Sequence, residues 1–400
     1  MSKFLFVNNA LNGTGGPRVI LNLADALINN GHEVSIVVDR IDNVNFEINP
    51  KISLYKWDCL AIKKVEDINK IDLISGNEKK TNKKTVIPSL AKKILRSLRD
   101  IKYSLLSPIY AYTLSRFVEL NNIDVIANSN IYIGVERHFF CSKLIKNYLV
   151  SYHNSPVEVF SRQDYFEIIK KENILRKIDY VCVSNAIQEE LFSLGFDVNF
   201  SKVIYNAFDF TSIHKLSTVT ACNLNKPYIL SISTLTERKR VDRVISAYSL
   251  LKEIHESFDL VILGEGHLDN DLKDLCKNLK VDDKVKFLGF QSNPYVYLLN
   301  SSALVLASDS EGLPTVIIEA LVLGTPVIST DCPTGPREIL SDWGDDVLVK
   351  LGSDEEIISD ISNKLNSLLA KDLSRDHVFN FSNLSRFEKS NVIKEWESIC

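Results

Sequence analysis

The sequence predicts an α/β protein made of two similar units in tandem. Three observations carry this. Short apolar runs alternate with amphipathic helical stretches along the chain. The alternation stops at a polar stretch, Phe208 to Lys226, closed by Pro227, and then restarts. Glycine and proline punctuate the joints, as in Gly15-Gly16-Pro17, Gly31 and Gly324-Thr325-Pro326.

Taken in order, Phe4–Asn8 reads as a buried strand. A glycine turn follows, then a helix with Val19, Leu23, Ala26 and Leu27 at helical spacing, stopped by Gly31. Val34–Val38 is the next strand, which gives a βαβ opening and hence a parallel sheet. Pro88–Leu106 reads as a helix, with Leu90, Ile94, Leu98, Ile101 and Leu105 on one face. Lys92, Lys93, Arg96, Arg99 and Lys102 lie mostly off that stripe. Ile123–Ala127, Tyr148–Tyr152, Tyr180–Val183 and Lys202–Tyr205 are further strands. Beyond the linker come a strand at Tyr228–Ser233, a helix at Val241–Ile254 and a strand at Leu260–Leu263. A helix at Leu268–Leu279 and strands at Val285–Leu288 and Ser301–Ser308 follow. The domains are expected at 1–210 and 227–380. A terminal helix within 387–400 either caps the second core or returns to the first. Parallel sheets bind ligands at the C-terminal ends of their strands, so the expected ligand site is a cleft between the two units.

Composition narrows the class. The chain has 400 residues, 45% hydrophobic and 24% charged, which is ordinary globular material. No apolar run approaches a membrane span. The opening apolar run ends at Asn8 and is too short for a signal-peptide core. Seven cysteines without a Cys-x-x-Cys pair read as reduced thiols, which implies a cytoplasmic protein without a zinc site. Residues 63–102 hold 12 Lys/Arg against 5 Asp/Glu in a chain of net charge −4. Such a local basic stretch suits a local anionic partner, such as an anionic membrane surface reached through residues 88–106, and not nucleic acid. The apolar stripe of that helix has an alternative role in packing on its own core.

The most informative segment is Glu311-Gly312-Leu313-Pro314-Thr315-Val316-Ile317-Ile318-Glu319. Pro314 suits the first position of a helix, which puts Glu311 in the preceding loop and Glu319 two turns along. Unpaired N–H groups at such a helix start suit a phosphate-bearing ligand. Asp269-Asn270-Asp271 has a metal-like spacing, but it opens a helix, where acidic residues favour the dipole.

An ordered set of motifs makes the reading specific. It comprises Gly15-Gly16-Pro17-Arg18-Val19, Gly31-His32-Glu33-Val34, Val183-Ser184-Asn185-Ala186, Ile204-Tyr205-Asn206-Ala207-Phe208-Asp209, Leu263-Gly264-Glu265-Gly266 and Glu311 to Glu319. The set resembles the family 4 retaining glycosyltransferases of the GT-B fold, in which two Rossmann-like domains face each other across a cleft. Asp331-Cys332-Pro333-Thr334-Gly335-Pro336-Arg337-Glu338 is similar to bacterial members that build surface polysaccharides.

The resemblance implies a nucleotide diphosphate sugar as co-substrate, no other cofactor and no metal. It implies transfer of a hexose or N-acetylhexosamine to a saccharide acceptor, often lipid-linked, in capsule or lipopolysaccharide assembly at the inner face of the plasma membrane. Glu319 would hold the ribose and Glu311 would face the donor sugar or its leaving side. Gly312, Leu313 and Pro314 would offer backbone to the sugar. Lys239 matches the family's lysine, and Thr234 stands where its arginine usually is, so Arg238 would supply that charge. Cations there stabilise the departing diphosphate more than the ground state. His153 would touch the donor sugar without acting as the base. Gly15 and Gly16 would let backbone approach the diphosphate or acceptor. Gly264, Glu265 and Gly266 would lie near the nucleotide, with Phe290 framing the base. An epimerase of the same fold, or a subunit that binds nucleotide sugar without turnover, are the alternatives.

Overall fold

The computed structural model describes residues 1–11, 15–41, 47–58, 61–66, 89–129, 135–161, 178–196, 200–342, 344–370 and 381–400, with backbone alone at 58, 89–104, 135–136, 160–161 and 381–382. Contacts divide the chain into two compact units. One holds Met1–Val183, Ile187–Ala207 and Lys389–Cys400, and the other Ser184–Ala186 and Phe208–Glu388.

The first unit runs β1 (Lys3–Ala10), α1 (Gly15–Asn29), β2 (Glu33–Arg40), β3 (Ser53–Asp58), β4 (Ala61–Lys64) and α2 (Ser89–Asn121). It continues with β5 (Val125–Asn128), α3 (Val135–Leu144), β6 (Tyr148–Tyr152), α4 (Pro156–Ser161), β7 (Asp179–Cys182), α5 (Asn185–Ser193) and β8 (Ser201–Val203). Its sheet has the order β4-β3-β2-β1-β5-β6-β7-β8, and only β3 and β4 pair antiparallel. Helix α1 buries Val19, Ile20, Leu23, Ala24 and Leu27, as its spacing requires. Gly31 ends it at φ +87°, a left-handed conformation in which a side chain would be strained.

The second unit runs α6 (Phe210–Ser217), β9 (Tyr228–Ile232), α7 (Val241–Leu250), β10 (Asp259–Leu263), α8 (Asp269–Asn278), β11 (Val285–Gly289) and α9 (Tyr295–Asn300). Then come β12 (Ala303–Leu306), α10 (Thr315–Val322), β13 (Val327–Thr330), α11 (Pro336–Leu340), β14 (Leu348–Val349) and α12 (Asp354–Ala370). Its sheet is wholly parallel, in the order β11-β10-β9-β12-β13-β14. That is the doubly wound Rossmann order, with the strand order reversing between β9 and β12. Both units therefore have the α/β, Rossmann-like architecture expected of the GT-B fold class.

The last helix, α13 (Lys389–Glu397), belongs to the first unit. Val392, Ile393 and Trp396 enter its core beside Phe4, Phe6 and Leu23. Trp396 meets Phe4 and Phe6 edge-on, with ring centroids 6.5 and 5.8 Å apart. Around it, His32 Nε2 lies 2.9 Å from Glu397 and Lys202 pairs with Glu395 at 2.7 Å.

Four local expectations change. The stretch after Phe208 is not irregular throughout, because α6 begins there with the Asp209 carboxylate accepting from Ser212 N at 2.9 Å. Helix α2 does not end at Leu106 but continues through Pro108 to Asn121. Pro88 lies outside the described residues. The helix expected over Val241–Ile254 stops at Leu250, and a separate 3₁₀ turn covers Lys252–Ile254. The hairpin β3–β4 was not anticipated. It sits at the sheet edge, where Lys56, Lys63 and Lys64 mask the strand signal. Tyr110 of α2 stacks on Trp57 with centroids 3.9 Å apart, which fastens the helix over β3.

Candidate active site

The reversal between β9 and β12 is where a doubly wound sheet takes its ligand. The residues that follow both strands meet there. After β9, a 3₁₀ turn at Glu237–Lys239 projects Arg238 and Lys239. After β12, the chain carries Ser308 and Glu311 toward them. Lys239 Nζ lies 2.5 Å from Glu311 Oε1, and Arg238 Nη1 lies 3.3 Å from Oε2. Ser308 Oγ donates to Oε1 at 2.6 Å. Arg238 also donates to the Ser310 carbonyl.

Glu311 is only 6% exposed. Burial works to raise its pKa, but the charges of Lys239 and Arg238, with hydrogen bonds from Lys239 and Ser308, outweigh that and hold it below the usual value. The cluster of two cations and one carboxylate therefore carries a net positive charge. Both Glu311 oxygens are engaged in holding cations, so the carboxylate anchors the pair as well as lining the site.

The loop that bears Glu311 is braced from three sides. Thr334 donates to the Glu311 carbonyl. Gly335, at φ +89°, lies so close that a Cβ would stand 2.7 Å from Gly312 O and 2.6 Å from Pro314 Cδ. Pro314 is the N-cap of α10 and not its first helical residue. Beneath, the buried Arg243 of α7 donates to the Ala307 carbonyl at 3.2 Å and to Asp309 at 2.6 Å. It also donates to Asp354 at 2.9 and 2.7 Å. Arg240 donates to Asp242 and Asp354. Hydrogen bonds from Arg240 and Arg243 pull Asp354 down to about 2.

Glu319 lies on α10, 6% exposed, and accepts from Tyr295 Oη at 3.3 Å. Gly264 and Gly266 serve backbone packing. A Cβ on them would stand 1.8 Å from Ser233 O and 2.1 Å from Leu235 O. This locks the turn after β10 onto the turn after β9. Glu265 reaches Phe290 N at 3.4 Å, and the Phe290 side chain is 42% exposed. Asp269 and Asp271 fall in the first turn of α8, and Asp269 pairs with Lys273 at 2.7 Å.

His153, Gly15 and Gly16 belong to the first unit. Gly15 and Gly16 are exposed at the start of α1, and a Cβ on either meets nothing within 4 Å among the described residues. His153 follows β6 and borders a small recess with Ser129, Ser151, Val19, Ile20 and Trp396. Burial pushes its pKa down to about 4.

Two family models match the chain. "Glycosyltransferase Family 4" covers residues 13–212 and "Glycosyl transferases group 1" covers 213–379. The chain belongs to the family 4 glycosyltransferases. This glycosyltransferase is 29% identical to an uncharacterized glycosyltransferase of Methanocaldococcus jannaschii, over 83% of this chain and 88% of that protein. It is 26% identical to the GalNAc-alpha-(1->4)-GalNAc-alpha-(1->3)-diNAcBac-PP-undecaprenol alpha-1,4-N-acetyl-D-galactosaminyltransferase of Campylobacter jejuni, over 99% and 97%. Its fold is similar to that of the Anabaena protein HepE in complex with UDP-glucose, with TM-score 0.65, 16% identity and coverage of 100% and 99%.

Arg243, Asp309, Asp354, Ser308 and Tyr295 were not singled out in the sequence. Arg243 had a legible signal, since an arginine on the apolar face of an amphipathic helix needs buried partners.

Proposed function

We propose that this glycosyltransferase moves a hexose or N-acetylhexosamine from a UDP-sugar to a saccharide acceptor carried on a lipid, with retained anomeric configuration. The observation that carries the reading is the pair Lys239 and Arg238 held on buried Glu311 at the β9–β12 reversal. In the reaction the bond from sugar C1 to the diphosphate oxygen breaks. The acceptor oxygen bonds C1 on the same face, and its proton passes to the leaving diphosphate. Charge grows on that diphosphate, and the two cations already stand where they stabilise it. Glu319 takes the ribose hydroxyls, because a carboxylate accepts two hydrogen bonds. The second unit is the donor side and the first unit the acceptor side. Gly312, Leu313, Pro314, Glu265 and Phe290 supply further contacts to the donor, and Gly15 and Gly16 leave room for backbone approach. The undecaprenol-linked substrate named for the Campylobacter relative supports a lipid-linked acceptor and a place in surface-polysaccharide assembly.

The test is a panel of sugar nucleotides with the purified protein. The true donor at 100 times its Kd should add about 2.7 kcal/mol of stability. Glu319→Ala should weaken that donor roughly 10- to 100-fold, the value of a hydrogen bond to a charged group. Stabilisation by no sugar nucleotide overturns the reading. Interconversion of the sugar without acceptor would mark an epimerase instead.

The same proposal places the enzyme at the cytoplasmic face of an anionic membrane. Leu105, Ile109 and Tyr112 of α2 are 75%, 43% and 62% exposed and share one helical face. They continue a segment that carries Lys92, Lys93, Arg96, Arg99 and Lys102. No helix of the described residues is long and apolar enough to cross a membrane. The protein should float with anionic vesicles at low ionic strength and less so with added salt or with zwitterionic vesicles. Absence of flotation at low salt rejects the membrane reading.

A further inference from the structure

Arg240 holds a backbone conformation that favours glycine. Its φ and ψ are both +46°, the left-handed region, where a Cβ crowds the following carbonyl oxygen. The residue stands between two helical segments. Its N–H closes the 3₁₀ turn on the Glu237 carbonyl at 3.2 Å, and its own carbonyl accepts from Arg243 N at 3.0 Å in the first turn of α7. A right-handed Arg240 would run the 3₁₀ turn straight on into α7. Each helical residue rotates its side chain by about 100° around the axis, so Lys239 and Arg238 would then point away from Glu311. The left-handed residue sets the direction of both cations.

The side chain holds that conformation in place. The guanidinium donates from Nε and Nη2 to the two oxygens of Asp242, at 3.1 and 2.9 Å, and from Nη2 to Asp354. Asp309 stands 3.7 Å from Nη1. The three carboxylates come from α7, the loop that leads to Glu311 and the start of α12. Asp309 and Asp354 also grip Arg243. Asp309 N donates to the Arg238 carbonyl at 2.9 Å, which ties the cation turn to the Glu311 loop through the backbone.

We propose that Arg240 is a positioning residue for the transfer reaction: three carboxylates clamp its guanidinium, the clamp stabilises its left-handed backbone, and that backbone aims Lys239 and Arg238 at Glu311 and the departing diphosphate. Arg240 touches no reacting atom in this scheme. Lysine cannot replace it, because one ammonium lacks the fork that spans Asp242 and Asp354 together. Glycine can replace its backbone part, since glycine adopts this conformation without a clamp. The step that the cations serve rests on the proposed function, whereas the aim of Lys239 does not.

The test compares Arg240→Ala with Arg240→Gly, both assayed well below their unfolding temperatures. Alanine loses the clamp and keeps the steric conflict. With the identified donor, Arg240→Ala should lower kcat about 10- to 100-fold, the cost of misplacing a group by about 1 Å, and change KM by less than about threefold. Arg240→Gly should recover most of that loss. Asp242→Asn removes one arm of the clamp at a partly exposed site and should give a smaller loss of the same kind. Wild-type kcat in Arg240→Ala, or a glycine variant no faster than the alanine one, overturns the inference. A second readout needs no donor. Lys239 helps to hold the Glu311 carboxyl below its usual pKa, so ¹³C titration of that carboxyl reports where Lys239 stands. The midpoint should rise in Arg240→Ala and stay near the wild-type position in Arg240→Gly. An unmoved midpoint in Arg240→Ala overturns the inference. If the midpoints move as expected but no sugar nucleotide is turned over, the functional reading fails and the positioning role stands.

Discussion

Lys239→Ala lowers kcat by roughly 10²- to 10³-fold with a much smaller change in KM, the loss typical of one preorganised charge-stabilising group. Lys239 is held by Glu311 before any ligand arrives, at 2.5 Å. No reorganisation is needed as the diphosphate departs, and the benefit falls on the transition state. The carboxylate is the other half of the device. Without Lys239, buried Glu311 keeps Arg238 as its remaining charged partner among the ion pairs described, and its pKa rises. Lys239→Ala and Glu311→Gln should therefore combine less than additively in a double-mutant cycle. Arg238→Ala tests whether this arginine replaces the charge absent at Thr234. Steady-state rates with the identified donor decide the matter. Turnover indifferent to both Lys239 and Glu311 would remove them from the chemistry.

Trp396→Ala destabilises the protein by about 3–5 kcal/mol, the cost of emptying a large buried aromatic site. Trp396 is 4% exposed and fills the space between α1 and the first sheet. Its edge-on contacts with Phe4 and Phe6 add about 0.5–1.5 kcal/mol beyond burial. Trp396→Phe should recover part of the loss. Urea unfolding monitored on the first unit measures it, and a loss below about 1 kcal/mol would mean that α13 is only loosely seated. Glu397→Gln, at a half-exposed carboxylate that accepts from Asn30 and lies 2.9 Å from His32 Nε2, should cost far less, within about 1 kcal/mol.

The sheet strands and the αβ alternation were legible because buried parallel strands are short apolar runs between glycine and proline stops, as at Phe4–Val7 and Leu260–Leu263. What escaped notice is physically different. The β3–β4 hairpin has lysines where a central strand would have valines. Helix α2 passes through Pro108, and a local rule stops a helix before a proline. At the site, Lys239 and Glu311 were legible as motif residues, and their direct pairing was not, since 72 residues separate them. Arg243 is similar in kind, because its partners Asp309 and Asp354 lie 66 and 111 residues away. Gly264 read in the sequence either as a neighbour of the nucleotide or as part of a simple turn. Its Cβ position is filled by the Ser233 carbonyl, so packing alone demands glycine there.

The seating of α13 bears on how the chain is made. Every strand of the first sheet leaves the ribosome before residue 204, yet Trp396 emerges nearly two hundred residues later. Domains usually fold in order of synthesis. Here the leading half must wait, with Phe4 and Phe6 short of their last neighbour, until Trp396 has been made. A nascent chain stalled after Glu388 would leave that apolar seam open for chaperones to hold and proteases to find.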